Sequence, residues 1–392
     1  MKILIRFVLA VLLFLIPVSL FSQDSLLAGL AKDNHSTFTY DGKTFSGAGW
    51  EMIEKKVRSA GNVLIGEDHF TNEIPAFAKA VMHTGSFDNL IIEIDPYSTE
   101  IIENSIRNLS DEERTAFNKE YQSRFSFYAL APEYELLKGA VQDSINLMGA
   151  EQIAKFAGRL IFQHLKDITE NERARSIYRS MMERSEKHFR KFLSDPDQTL
   201  YFMTTHFSKQ LEALDTLALS GYEDSVIEDM RISRSIYSQD DHKKRIQLMK
   251  RILLNRLGEW YRDKNLFKYG AVHMPSGESL LSIYDIGNLV LNVTDAEFKE
   301  SYHIAVVAKS GMKGSPFPGH PHSEIDSDKG MLSRLSPFFS VVNGNKWHAF
   351  NMAPIRNKLK NGNLEISNVL LERVIKGYDT LVIIPEATAA GF

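Results

Sequence analysis

Six short apolar runs set the texture of this chain: "NVLIGE" (62–67), "NLIIEID" (89–95), "INLMGAE" (145–151), "LFKYGAV" (266–272), "YHIAVVA" (302–308) and "TLVIIPE" (380–386). Each is bounded by Gly, Asp, Asn or Pro and has the length of a buried strand. Helical periods separate several of them. From Ile74, the residues Ile74, Phe77, Ala78, Val81 and Met82 share one face, and Gly85 ends the pattern. Buried strands alternating with amphipathic helices predict an α/β fold, with a mostly parallel central sheet and flanking helices. No fixed-period repeat occurs, so a solenoid or propeller is not expected.

Between about 153 and 262 no strand-like run survives, and charged and apolar residues alternate at spacings of three and four, as in "NERARSIYRSMMERSEKHFRKFL". This predicts a large helical insertion of several antiparallel helices, which either forms a lid over the sheet or only buttresses it. Residues 24–392 are expected to form a single α/β domain around that insertion. "KSGMKGSPFPGHPHSEIDSDKG" (309–330) reads as an irregular loop of a length often tied to function, and "EATAAGF" at 386–392 as a poorly ordered tail.

The first residues, "MKILIRFVLAVLLFLIPVSLFSQDS", combine Lys2 and Arg6 with an apolar run and small residues near Ser19 and Ser22. This is the pattern of a signal peptide over 1–23, and it predicts an exported protein, periplasmic or extracellular, with no stable membrane span after cleavage. The 392 residues contain no Cys, which removes thiol nucleophiles, thiolate metal sites and disulfides. With 46 basic and 50 acidic residues and no long block of one sign, nothing marks a nucleic-acid partner. A small-molecule or peptide substrate is the expected partner.

The candidate chemistry sits at three strand ends. "GEDH" places Glu67 and His69 two apart where the first run stops, at the carboxyl end where open parallel sheets put their crevice. Glu73 follows in the first turn of a helix starting near Asn72, where it suits the helix dipole as well as a substrate. The second run carries Glu93 between Ile92 and Ile94, a carboxylate that is costly to bury unpaired, and Pro96 then stops the strand. The fourth run leads through Gly270 to His273.

No G-x-S-x-G elbow, HExxH, Walker loop or EF-hand pattern occurs. Histidine and carboxylate chemistry is what is left. Either His69 is a general base assisted by Glu67 or Glu93, or His69, His273, Glu67 and Glu93 hold a divalent ion such as Zn or Mn that activates water.

"LIGEDHFTNE" followed by "IIEID" resembles the erythromycin-esterase-like family and its wider superfamily with the Tiki, TraB and ChaN proteins. "LMGAEQ", "IEDMRISRSI", "YGAVHMPSG" and "DIGNLVLN…YHIAVVA" fall in the same order, so the resemblance spans roughly 55 to 310. It implies an α/β core with an active cleft at the strand ends and His69 as the water-activating base, with Glu67 and Glu93 nearby. His273 matches the second of two family histidines, whereas Gly270 stands where the first would be. That departure follows the glycine-before-histidine pattern of Tiki and TraB proteins. The resemblance thus implies an ester or amide hydrolase, either metal-free or metal-assisted as in the Tiki peptidases, or a non-enzymatic haem- or metal-binding envelope protein of the ChaN type. Arg231 and Arg234, in the matched "EDMRISRSI" helix, are candidates for binding an anionic substrate group, with a solvated helix face as the alternative.

Overall fold

The structure, a computed structural model, describes residues 24–392. The expected signal peptide lies outside the described residues. The chain forms two compact units. The first comprises 24–68, 270–312 and 324–388; the second comprises 69–269, 313–323 and 389–392.

In the first unit the strands β1 (His35–Tyr40), β2 (Phe45–Ser46), β3 (Asn62–Glu67), β7 (Ser301–Lys313), β9 (Trp347–Asn351) and β10 (Thr380–Ala387) lie in the order β2-β1-β9-β10-β7-β3. β8 (Ser323–Asp326) pairs with β7 off this path. β7 runs parallel to β3 and β10, with Glu67 opposite Val306. β9, β1 and β2 add an antiparallel margin. β3 is buried at every position, which is why it reads as an unbroken apolar run rather than an alternation. Gly66 is required within it, because a Cβ there would fall against the Tyr378 hydroxyl and Ala271.

In the second unit β4 (Asn89–Ile92) lies between β5 (Asn146–Gly149) and β6 (Asn265–Gly270), parallel to both. With these pairings the chain is α/β with a mostly parallel core. β4 is shorter than its apolar run. At Ile94 the backbone N–H turns back to the Ile92 carbonyl, and Asp95 then caps the helix Pro96–Asn108 through the Ser98 amide, with Pro96 at its first position. Glu93 therefore sits just beyond the strand.

No strand interrupts 150–264, where the helices Gly158–Ile168, Glu172–Ser194, Thr205–Leu214, Gly221–Gln239 and His242–Asn255 follow one another. They bury a core of their own, with Ile161, Phe162, Tyr178, Met181, Phe207, Leu211 and Met230 packed round Tyr97. Each such side chain contributes about 1.5–3 kcal/mol on burial.

Two expectations are corrected. β7 continues to Lys313 and β8 pairs with it, so regular structure takes up both ends of the expected loop. The tail is also held: Thr71 and Ala389 form a β-bridge, and the Ala131 amide donates to the Gly391 carbonyl at 2.7 Å. Small residues let the tail's backbone come close enough to pair. No helix among the described residues is long and apolar enough to cross a membrane.

Candidate functional site

The quoted stretch "GEDHF" leaves β3 and turns at Phe70, whose φ of 77° is left-handed and unusual for a bulky residue. Two distant segments hold this conformation. The Phe70 carbonyl accepts hydrogen bonds from the Gly314 amide at 2.8 Å and the Ala390 amide at 3.0 Å. Asn72 adds a bond from its Nδ2 to the Ala389 carbonyl at 3.0 Å.

The turn lays the His69 ring on Phe127, with centroids 4.2 Å apart, and sets Phe70 edge-on to both. Ser126, immediately before Phe127, is also left-handed, at φ 58°. Two left-handed residues thus adjoin the imidazole and the phenyl ring tilted against it.

His69 Nε2 lies 3.5 Å from Glu93 Oε2. The other Glu93 oxygen accepts from Arg245 Nη2 at 2.7 Å, and Arg245 Nε reaches both Glu151 oxygens at 3.0 and 3.1 Å. One guanidinium therefore bridges two buried carboxylates, the arrangement that makes their burial tolerable. Burial opposes the charge on Arg245, but Glu151 and then Glu93 outweigh it and raise its pKa. His69 is 23% exposed whereas Glu93 is 9% exposed, so solvent reaches the imidazole more than its partner.

The backbone beside Glu93 is fixed by Tyr128. Its hydroxyl accepts from the Glu93 amide at 3.4 Å and donates to the Lys268 carbonyl at 3.1 Å. Lys268, in the middle of β6, is wholly buried; its ammonium meets both Glu133 oxygens at 2.8 Å and lies 5.3 Å from the Phe127 ring.

Glu93, Glu151, Arg245 and Phe127 line a cavity of about 110 Å³, together with Asp95, Gln152, Phe156 and Tyr237. Phe317, from the 313–323 loop, packs edge-on against Phe156 and touches Phe189 and Phe192. The part of the expected loop that stays irregular thus backs one wall of the cavity.

The first unit holds the other two predicted residues. Glu67 ends β3 and is buried. His273 is 1% exposed, and its Nδ1 bonds Asp285 Oδ2 at 2.9 Å. Asp285 caps the helix Ile286–Ala296 through its other oxygen, which fixes the carboxylate that in turn fixes the ring. Gly270 donates no side chain, but its carbonyl accepts from the His273 amide at 2.9 Å.

The remaining candidates are placed as follows. Glu73 lies in the first turn of the helix Glu73–Gly85. Arg231 pairs with Asp215 and Glu228, and Arg234 donates to the Met203 and Thr204 carbonyls. Neither arginine lines the cavity; Arg245 does. Sequence reasoning missed Arg245, yet a signal was there. It occupies the apolar stripe of its helix, with Met249 and Ile252 at i+4 and i+7. Phe127 carried no such signal.

Among the described residues no three His, Asp or Glu side chains gather round a point where a metal ion would sit. The cavity of about 110 Å³ beside Glu93 is small for a haem.

No family model matches the chain, and no curated protein sequence matches it. Solved structures do match in fold. A Bacillus cereus protein aligns over 94% of this chain and 98% of its own, at 11% identity and a TM-score of 0.55. A succinoglycan biosynthesis protein aligns over 94% and 99%, at 11% identity and a TM-score of 0.58. A histidine-to-asparagine mutant of erythromycin esterase EreC, in its open conformation, aligns over 88% and 95%, at 12% identity and a TM-score of 0.51. The chain shares the fold of these proteins, in keeping with the erythromycin-esterase-like resemblance.

Proposed function

We propose that this protein is a hydrolase of an ester or amide bond in a small-molecule or peptide substrate, with His69 as the general base. The observation that carries the reading is the chain of contacts from His69 through Glu93 to Arg245 and Glu151, at the edge of a cavity. Glu93 takes only acceptor roles when ionised, so Nε2 is the protonated nitrogen facing it and Nδ1 carries the lone pair. His69 removes a proton from water; the resulting hydroxide adds to the carbonyl carbon; and the imidazolium returns the proton to the departing alcohol or amine. Glu93 stabilises the imidazolium while it exists, and Arg245 holds Glu93 in place. The 3.5 Å separation is loose for a hydrogen bond, as is common before substrate binds.

Buried His273 is held in one orientation by Asp285, which supports a positioning part rather than proton shuttling to solvent. Export, supported by the pattern at 1–23, would make the substrate one met outside the cytoplasm. The test is a panel of aryl and alkyl esters and peptide amides, assayed with the wild type and His69→Ala. The expected loss is about 10²–10⁴-fold, the usual contribution of a general base. Activity that persists undiminished in His69→Ala overturns the reading.

A further inference from the structure

We propose that the cavity walled by Glu93, Glu151 and Arg245 is a binding site for a protonated amino group, with Asp95 and Gln152 as its acceptors. It deepens the hydrolase reading by assigning the substrate class: esters or amides that carry a primary ammonium on a short stem. It rests on that reading only in calling the ligand a substrate.

The wall has two unanswered acceptors. Asp95 is 1% exposed; its Oδ1 accepts from the Ser98 amide at 2.8 Å as a helix cap, whereas its Oδ2 has no hydrogen-bond partner. Gln152 is 8% exposed, and its Oε1 likewise has none. The helix-capping role explains the first oxygen of Asp95 and leaves the second one over. Buried acceptors without donors are costly, so each calls for a ligand that donates.

Charge decides what kind of donor. Three carboxylates, Glu93, Asp95 and Glu151, and one guanidinium line the cavity, and Arg245 spends its fork on the two glutamates. Asp95 is left without a cation. Burial pushes its carboxyl up to about 6, against the pull of the Ser98 amide and hydroxyl and the Tyr97 amide, and no counter-charge offsets that burial. An alcohol offers a single O–H to two acceptors and leaves that charge uncompensated. An ammonium offers three donors and a positive charge. The aromatic rings of Phe127, Phe156 and Tyr237 suit a cation with an alkyl stem. Nearby cations do not already serve: Lys268 is taken by Glu133, and exposed Lys155 lies over the Tyr237 ring at 5.6 Å. A volume of about 110 Å³ admits an amine and a few methylenes rather than a whole ligand, so the rest of the substrate extends toward His69.

The test has a binding arm and a kinetic arm. Calorimetric titration at pH 7.5 uses butylammonium chloride, with 1-butanol as the uncharged probe, against the full chain, Asp95→Asn and Gln152→Leu. Asparagine keeps the helix cap, so the first variant retains its local structure. Butylammonium is expected to bind the wild type, 1-butanol not, and Asp95→Asn to weaken the amine by about tenfold or more, the value of a charged hydrogen bond. If Asp95→Asn does not fold, Gln152→Leu carries the test with the same sign.

The kinetic arm compares 4-nitrophenyl 4-(aminomethyl)benzoate, whose amine cannot reach its own carbonyl, with 4-nitrophenyl 4-methylbenzoate. The ratio of their kcat/KM values is expected to favour the amino ester in the wild type and to fall about tenfold in Asp95→Asn. Amine binding that depends on Asp95 without hydrolysis of either ester overturns the catalytic reading and sustains the amine site. Hydrolysis without amine preference, together with no amine binding or binding unaffected by both variants, overturns the amine site and leaves His69 catalysis standing.

Discussion

The two units each hold a histidine beside a carboxylate, and the pairs are built for different ends. In the first unit His273 is 1% exposed and bonded to Asp285 at 2.9 Å, with Asp285 itself locked as a helix cap. In the second, His69 is 23% exposed, rests on a phenyl ring and sits a loose 3.5 Å from Glu93. The first pair is finished; the second still has room to tighten. A histidine that must gain and lose a proton needs water at one edge and a carboxylate whose own position does not depend on it. Arg245 supplies that independence by holding Glu93 from behind.

The sharpest way to break this contrast is to remove each ring in turn. His69→Ala is expected to cost about 10²–10⁴ in kcat/KM with little change in the urea midpoint. His273→Ala is expected to cost about 3–5 kcal/mol of unfolding free energy, because it strands buried Asp285. Equal effects of the two variants on both measurements would remove the distinction.

The buried Lys268–Glu133 pair under Phe127 comes next. Lys268→Met leaves Glu133 charged and enclosed, at about 3–5 kcal/mol by chemical denaturation, and pairing it with Glu133→Leu recovers much of the loss. If the single change costs nothing, Phe127 is not supported in the way described.

Asp95 gives a pH signature of opposite sign to the usual carboxylate. Its folded pKa of about 6 lies above the ordinary 3.8, so the folded state binds the extra proton and the penalty is fully present above pH 6. It is relieved as pH falls from 6 to below 4. Asp95→Asn is therefore expected to be more stable than the wild type at pH 7, by about 3 kcal/mol, and to lose that advantage near pH 4 in paired thermal melts. A constant difference across that range would contradict the assignment.

The smallest effect sharpens the comparison from outside the site. Arg231 makes half-exposed ion pairs with Asp215 and Glu228, so Arg231→Ala is expected to change stability by under about 1 kcal/mol and kcat/KM by less than twofold. A large rise in KM would return Arg231 to substrate binding.

What the sequence made legible follows from what buries uniformly. All six apolar runs are strands, because strands covered on both faces carry their signal in every residue. The helix from Glu73 buries the face containing Ile74, Phe77, Ala78, Val81 and Met82, as its period predicts. β1, β2 and β9 were not visible, since "HSTFTY", "FS" and "WHAFN" are short or mix polar with apolar residues. Within the site, the approach of Glu93 to His69 lies within reach of strand-end reasoning, since both follow parallel runs. Arg245 and Phe127 lie 152 residues after Glu93 and 58 after His69 respectively, and only tertiary packing brings them there. The arginines of the "EDMRISRSI" stretch spend their donors on Asp215, Glu228 and backbone carbonyls, whereas the arginine on a helix's apolar stripe bridges the buried acids.

The Phe70 carbonyl carries a further consequence, for the order in which the protein is made. Its two donors, Gly314 and Ala390, leave the ribosome long after the turn they secure. At about 5–20 residues per second, the segment bearing His69 waits tens of seconds for these two donors. Until then His69 sits on a turn with nothing to enforce its left-handed backbone. A nascent chain released before Gly314 and Ala390 are added is therefore expected to have most of its strands and no properly seated imidazole at position 69, so the hydrolysis proposed for it would begin only once residue 390 has been made.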